Sequence, residues 1–159
     1  MASEDAFKAT KQAFTFFYAY HNIVAQEIGR ERAVALLNKT FESMGARQGK
    51  MLKEQSGITK LDAKMAIPIL KSAKDSVGFG FEVVEESPQK VVLRNGRCPF
   101  YEAAQAAGVD AKFIETLCRS GPMRMADSLV KQINPNLSIG VRKFRSTPDA
   151  SCDEEIVLG

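Results

Sequence analysis

The first part of the chain has apolar residues at the three- and four-residue spacing of amphipathic helices. One stripe runs over residues 7–28, and a second follows Gly29 and continues to Leu52. Gly45 and Gly49 interrupt the second stripe, so they either weaken that helix or permit close contact with another one. The pattern predicts two long helices joined at Gly29. The first stripe consists of Phe14, Phe17, Tyr18, His21, Val24, Ala25 and Ile28.

A third helical pattern follows a polar linker at residues 55–60. Asp62 is a candidate cap, and apolar residues recur from Met65 to Val77. Pro68 lies inside this pattern, so the helix is either kinked at the proline or begins near it. A helical half therefore covers about residues 5–77.

After Gly78 the apolar period changes from helical to two. The alternation predicts four strands, at residues 79–85, 90–94, 137–145 and 152–158, with a turn over 87–90 between the first two. Short helices are expected between the second and third strands, and Asp110 is the cap of one of them. The mixed half covers about residues 79–158. The sequence thus predicts one α+β domain over 1–159, with long N-terminal helices packed on a four-stranded antiparallel sheet.

Composition and charge narrow the class of protein. The 159 residues are 45% hydrophobic and 26% charged, which is typical of a soluble globular domain. The net charge is +3 and the basic residues are spread along the chain, so we expect no nucleic-acid partner. The first residues are acidic and no apolar run is long enough to cross a membrane, so we expect a cytoplasmic protein without a membrane partner.

The three cysteines are the main chemical signal. Cys98, Cys118 and Cys152 are expected to be reduced, and their spacing of 19 and 33 intervening residues resembles no paired zinc motif. No phosphate loop, dinucleotide fingerprint, HExxH or Gly-x-Ser-x-Gly motif is present, which removes the commonest nucleotide-binding and hydrolase classes. Three thiolates converging from separate elements would still form an open metal site, so a zinc-like or other thiolate-bound metal is an expectation.

Cys98 is the best candidate for a reactive thiol. It stands before Pro99 at the expected start of a helix, where free backbone N–H groups favour a thiolate. Arg94 and Arg97 are expected to lower its pKa further. The alternative is a small buried side chain at a strand-to-helix junction. Cys118 and Cys152 are each ordinary core residues when considered alone.

Four other residues are candidates by type and position. His21 is the single histidine and lies on the first apolar stripe, as a core side chain, a fourth metal ligand or a general base. Asp127 is a candidate for positioning water, or else a solvated helical carboxylate. Arg119 and Arg145 are candidates to bind a substrate carboxylate, or else solvated cations.

A family resemblance rests on segments around the cysteines. Residues 97–104 (RCPFYEAA), 115–119 (ETLCR), 133–137 (INPNL) and 149–153 (DASCD) occur in the order and spacing of the L-2-amino-thiazoline-4-carboxylic acid hydrolase family. The stretch 21–33 also resembles the helical first half of that family. The family pattern before the last cysteine has a glycine where this chain has Pro148. The resemblance implies hydrolytic opening of a small cyclic amidine to a carbamoyl cysteine.

Three functional interpretations follow. In the leading one, Cys98 is a nucleophile or metal ligand, Cys118 and Cys152 complete the site, and Asp127 positions water. The cysteine layout is also similar to 4-vinyl-reductase-type ligand-binding domains, so the second is a small-molecule or metal-binding sensor in which the aromatic stripe lines a pocket. The third is an interaction protein in which the wide apolar arc of the first helix forms a homodimer interface.

Overall fold

The computed structural model describes residues 3–159 and confirms the α+β class. Six helices accompany one sheet. The helices are α1 (Glu4–Ile28), α2 (Arg30–Ser56), α3 (Ala66–Ser76), α4 (Pro99–Ala106), α5 (Ala111–Ser120) and α6 (Pro122–Ile133). The strands are β1 (Phe81–Glu86), β2 (Lys90–Asn95), β3 (Leu137–Lys143) and β4 (Cys152–Leu158). Within residues 3–159, no helix combines the length and the hydropathy that a membrane span needs.

The two long helices form as their sequence predicts. Ser3 caps α1 by accepting a hydrogen bond from the Ala6 N–H at 3.0 Å. Gly29, with φ of 87°, is the single residue between α1 and α2. Gly45 and Gly49 do not interrupt α2, and both are buried against α6. A Cβ atom at either position would overlap a backbone carbonyl of α6, so these glycines permit close helix contact.

The third helix begins near its proline. α3 starts at Ala66, which puts Pro68 in the first turn, where the missing N–H costs nothing. Asp62 accepts a hydrogen bond from the Met65 N–H at 2.7 Å and so organises the turn before the helix. The predicted kink at Pro68 is therefore not needed.

All strand pairs are antiparallel, in the order β1-β2-β4-β3. β1 begins two residues later than predicted, because the Phe79 N–H donates to the Lys74 carbonyl at the end of α3. β3 ends at Lys143, two residues earlier than predicted, because the Arg145 N–H turns to the sulfur of Cys152 instead of a ladder carbonyl. Both differences come from tertiary partners that alternation does not reveal.

The buried apolar residues form two clusters. One lies between the sheet and the helices α3 and α6, and includes Val91, Leu93 and Ile156. The other lies among α1, α2, α4 and α5, and includes Tyr18, Phe41 and Cys98. The strand β4 begins beside the second cluster and ends in the first. The chemistry-bearing residues therefore lie where the sheet meets the smaller helices.

Candidate active site

Three free cysteines from three different elements line one small cavity. Cys98 precedes α4, Cys118 lies on α5 and Cys152 begins β4. The cavity has a volume of about 20 Å³, which is enough for one water molecule. Its other walls are formed by Tyr18, Phe100, Tyr101, Ile114, Phe144 and Arg145.

The register of the sheet accounts for the meeting of two of these cysteines. Asn95 ends β2 and pairs with Cys152 at the start of β4, and only two residues separate Asn95 from Cys98. Cys118 reaches the same cavity from α5, one helical turn after Ile114. Residues 54 positions apart in the sequence are thus placed side by side by strand pairing.

Cys98 has the predicted position but not the predicted ionisation. It is the N-cap residue of α4, and its side chain makes no capping hydrogen bond. Burial raises the pKa of the Cys98 thiol to about 11, although the Tyr101 backbone and the Arg145 charge oppose this shift. Desolvation therefore outweighs the helix N-terminus, and Cys98 is a neutral thiol at pH 7.

The prediction that Arg94 and Arg97 activate Cys98 was wrong. Arg94 points to the other face of the sheet and binds Asp153, with Nε 3.0 Å from Oδ1. Arg97 binds Glu102, with Nε 2.9 Å from Oε1. Each arginine is paired with a carboxylate and does not line the cavity.

Arg145 is the cation that reaches the cavity. It is buried, and its backbone N–H and its Nε–H both point to the Cys152 Sγ at 3.3 Å. Its two terminal nitrogens donate to the carbonyls of Pro148 and Gly96. Its guanidinium also lies over the Tyr101 ring, 5.1 Å from the centroid. Of the two arginines predicted to bind substrate, Arg145 is in the cavity wall.

Cys118 adjoins a buried polar cluster that the sequence did not indicate. Burial raises the pKa of the Cys118 thiol well above its ordinary range, and the charges of Cys98 and Glu154 add to this shift. Glu154 binds Lys74 at 2.7 Å, and Lys74 also donates to Asn95 Oδ1 at 2.8 Å. Glu154 follows Cys152 by two residues, so the two side chains share one face of β4. Strand alternation could have located it, but not its partner.

Two other predicted site residues lie elsewhere. Arg119 binds Glu115 at 2.7 Å on the surface of α5 and does not line the cavity. Asp127 is buried, and it accepts hydrogen bonds from the Ile139 N–H at 3.0 Å and from Lys131 at 2.8 Å. Its carboxylate joins α6 to β3, so the geometry gives it a structural contact and does not place it beside the thiols.

His21 is buried on α1 and does not line the cavity. Neither ring nitrogen has a hydrogen-bond partner, and the ring lies 6.3 Å from that of Phe113. Burial is the main cause that lowers the pKa of His21. A buried, neutral imidazole near the Phe113 ring matches the core alternative.

The aromatic stripe contributes little to the cavity. Phe14 and Phe17 pack on each other and on Phe41, at centroid distances of 5.8 to 6.4 Å. Only Tyr18 of the stripe reaches the cavity wall, where burial raises its pKa well above the ordinary value. The pocket that the binding-module interpretation placed along this stripe is filled by packed rings.

No group of three or more histidine, cysteine, aspartate or glutamate side chains in residues 3–159 is arranged to hold a metal ion. Cys98, Cys118 and Cys152 share a cavity without forming such a group. The thiolate-bound metal therefore stays a prediction.

Comparison with known proteins gives one strong result. No curated protein matches the chain. Among solved structures, a crystal structure of a trafficking protein particle complex subunit 3 from Naegleria fowleri, covalently bound to palmitic acid, is 14% identical. That similarity covers 96% of each chain with a TM-score of 0.49. The family model of L-2-amino-thiazoline-4-carboxylic acid hydrolase matches residues 7–153, a span that includes all three cysteines and Arg145. The chain therefore belongs to the L-2-amino-thiazoline-4-carboxylic acid hydrolase family.

Proposed function

We propose that this protein hydrolyses a small cyclic amidine that carries a carboxylate, with a cavity thiol as nucleophile. The observation that carries the proposal is the meeting of three free thiols and a buried arginine at one cavity. The family description names a substrate of this class. A thiol attacks an electrophilic amidine carbon, and a guanidinium binds the carboxylate.

The reaction balances with water as the second reactant. The thiolate bonds to the amidine carbon, and the ring C–N bond breaks as its nitrogen takes a proton. Water then attacks the same carbon and displaces the enzyme thiolate. The product is an S-carbamoyl cysteine, and one water molecule is consumed.

Arg145 has donors left for a substrate carboxylate. A guanidinium has five N–H groups, and three of those of Arg145 are used by Cys152, Pro148 and Gly96. Two N–H groups remain. Substitution of Arg145 is therefore expected to raise KM for a carboxylate substrate.

The cavity must enlarge to admit a ring. A volume of about 20 Å³ holds one water molecule, not a five-membered ring. Among the lining residues, Phe100 and Phe144 are partly exposed. Outward movement of the two phenylalanines would open the site on that side.

The test is turnover of L-2-amino-thiazoline-4-carboxylate, followed by mass spectrometry of the carbamoyl product. Cys98→Ala, Cys118→Ala and Cys152→Ala are compared with the exposed-surface control Ser138→Ala. Loss of the nucleophile is expected to reduce kcat by roughly 10³-fold or more. Full activity in all three cysteine variants, or retention of the compound without turnover, would overturn the proposal. The second result would favour a binding module.

A further inference from the structure

We propose that Cys152, not Cys98, is the nucleophile of this site, and that Arg145 holds its sulfur as the thiolate. The reaction assigned to this nucleophile rests on the proposed function, whereas the assignment of the charged sulfur rests on the geometry alone.

The sulfur of Cys152 receives two directed N–H groups from one residue. The Arg145 backbone N–H and Nε–H are each 3.3 Å from Sγ, which is hydrogen-bond distance for sulfur. Donors aimed at an acceptor stabilise its negatively charged form, and a guanidinium does so more strongly than a neutral donor. The neutral backbone N–H groups of Tyr101 and Phe100 also favour the charged form of Cys98, but among the described residues no charged group donates a hydrogen bond to Cys98 or Cys118.

Arg145 needs a counter-ion. It is 4% exposed, and within residues 3–159 no carboxylate forms an ion pair with it. The carbonyls of Pro148 and Gly96 satisfy its N–H groups but carry no net charge. A buried guanidinium cannot lose its proton, so an anion beside it is strongly favoured. The Cys152 sulfur, which Arg145 already contacts, is the group available to carry that negative charge.

The other ionisable groups at the cavity do not compete for this charge. Burial raises the pKa of Cys98 to about 11 and that of Cys118 well above its ordinary range. Tyr18 is likewise kept neutral by burial. Glu154 is paired with Lys74, and its negative charge disfavours ionisation of Cys118. Of the three thiols, only the sulfur of Cys152 contacts the guanidinium of Arg145 among the described residues.

This arrangement assigns complementary roles to two thiols. The Cys152 thiolate bonds to the amidine carbon, and the protonated Cys98 beside it supplies the proton taken by the departing ring nitrogen. The attacking water returns that proton to Cys98 and displaces the Cys152 thiolate. Both sulfurs end in their starting states.

The first experiment locates the thiolate without any substrate. The ultraviolet thiolate absorbance of the reduced protein is titrated from acidic to alkaline pH for wild type, Cys152→Ala, Cys98→Ala and Cys118→Ala. The first ionisation step is expected to disappear only in Cys152→Ala. Its loss in Cys98→Ala instead, or its persistence in Cys152→Ala, would overturn the proposal. Cys152→Ser replaces the alanine variant if the latter fails to fold.

The second experiment tests nucleophilicity. Limited alkylation of wild type with iodoacetamide, followed by peptide mass spectrometry, is expected to label Cys152 about tenfold or more faster than Cys98, as a difference of one pH unit in ionisation would give. Arg145→Lys keeps a positive charge but lacks the Nε–H, so it should slow this labelling and raise the pH of the first step. Preferential labelling of Cys98, or equal labelling of all three, contradicts the assignment. Labelling of Cys152 without turnover of the amidine would instead refute the proposed reaction.

Discussion

The buried Cys98 thiol should make the protein less stable at alkaline pH. Its pKa is about 11 in the folded chain, against an ordinary value of 9.0. Between these values the folded state keeps a proton that the unfolded state has lost, so the free energy of unfolding falls as pH rises. The stabilisation is complete below pH 9 and is lost progressively as the pH approaches 11.

The magnitude follows from the shift. Two pKa units correspond to about 2.7 kcal/mol in total, and about 1.3 kcal/mol of this should be lost between pH 8 and pH 10. Urea denaturation at pH 8, 9 and 10 measures the loss. Other titrating groups also change the stability over this pH range, and they do so equally in wild type and in Cys98→Ala. The stability of Cys98→Ala should therefore fall by about 1.3 kcal/mol less than that of wild type between pH 8 and pH 10.

A control separates ionisation from packing. Ile114→Val removes one methylene group from the wall of the same cavity and no ionisable group. It should lower stability by about 1 kcal/mol at every pH and keep the pH dependence of wild type. If Cys98→Ala and wild type lose stability in parallel between pH 8 and 10, the thiol is not desolvated as the structure indicates, and the reasoning fails.

Three further outcomes are expected. Gly45→Ala should lower the free energy of unfolding, measured by thermal denaturation, by about 2 kcal/mol or more, because the added Cβ would overlap an α6 carbonyl. The control Gly140→Ala should change it little, because its added Cβ would have no atom within 4 Å. Asp127→Asn should lower the free energy of unfolding by about 1 to 3 kcal/mol, because it weakens the hydrogen bond from the Ile139 N–H. It should leave the first ionisation step of the thiols unchanged, because Asp127 does not line the cavity. A shift of that step would contradict this placement of Asp127. Phe16 is 78% exposed on an apolar face of α1, so Phe16→Ser should shift a sedimenting dimer towards monomer, and identical sedimentation would reject that interface.

Periodicity in the sequence determined most of the secondary structure. Four alternating segments became four antiparallel strands, because alternation decides which side of a strand can be buried. The helical stripes likewise became α1 and α2. Pro99 after Cys98 located a helix start, since proline suits the first turn.

Tertiary structure alone decided which charged groups serve the site. The sequence does not distinguish four arginines, Arg94, Arg97, Arg119 and Arg145. In the folded chain the first three are each paired with a carboxylate. Arg145 is buried because β3 ends before it and turns its N–H groups towards Cys152. A local pattern shows which face of an element is apolar, not which element lies opposite that face.

The ionisation of the thiols was also decided by the tertiary structure, through burial. The sequence placed Cys98 at a helix N-terminus, where a lowered pKa is expected. Only the packed structure shows that desolvation outweighs that effect for Cys98, while Cys152 has two N–H groups directed at its sulfur. The balance between solvation and hydrogen bonding depends on the positions of all neighbouring atoms, and residues far apart in the chain supply most of them.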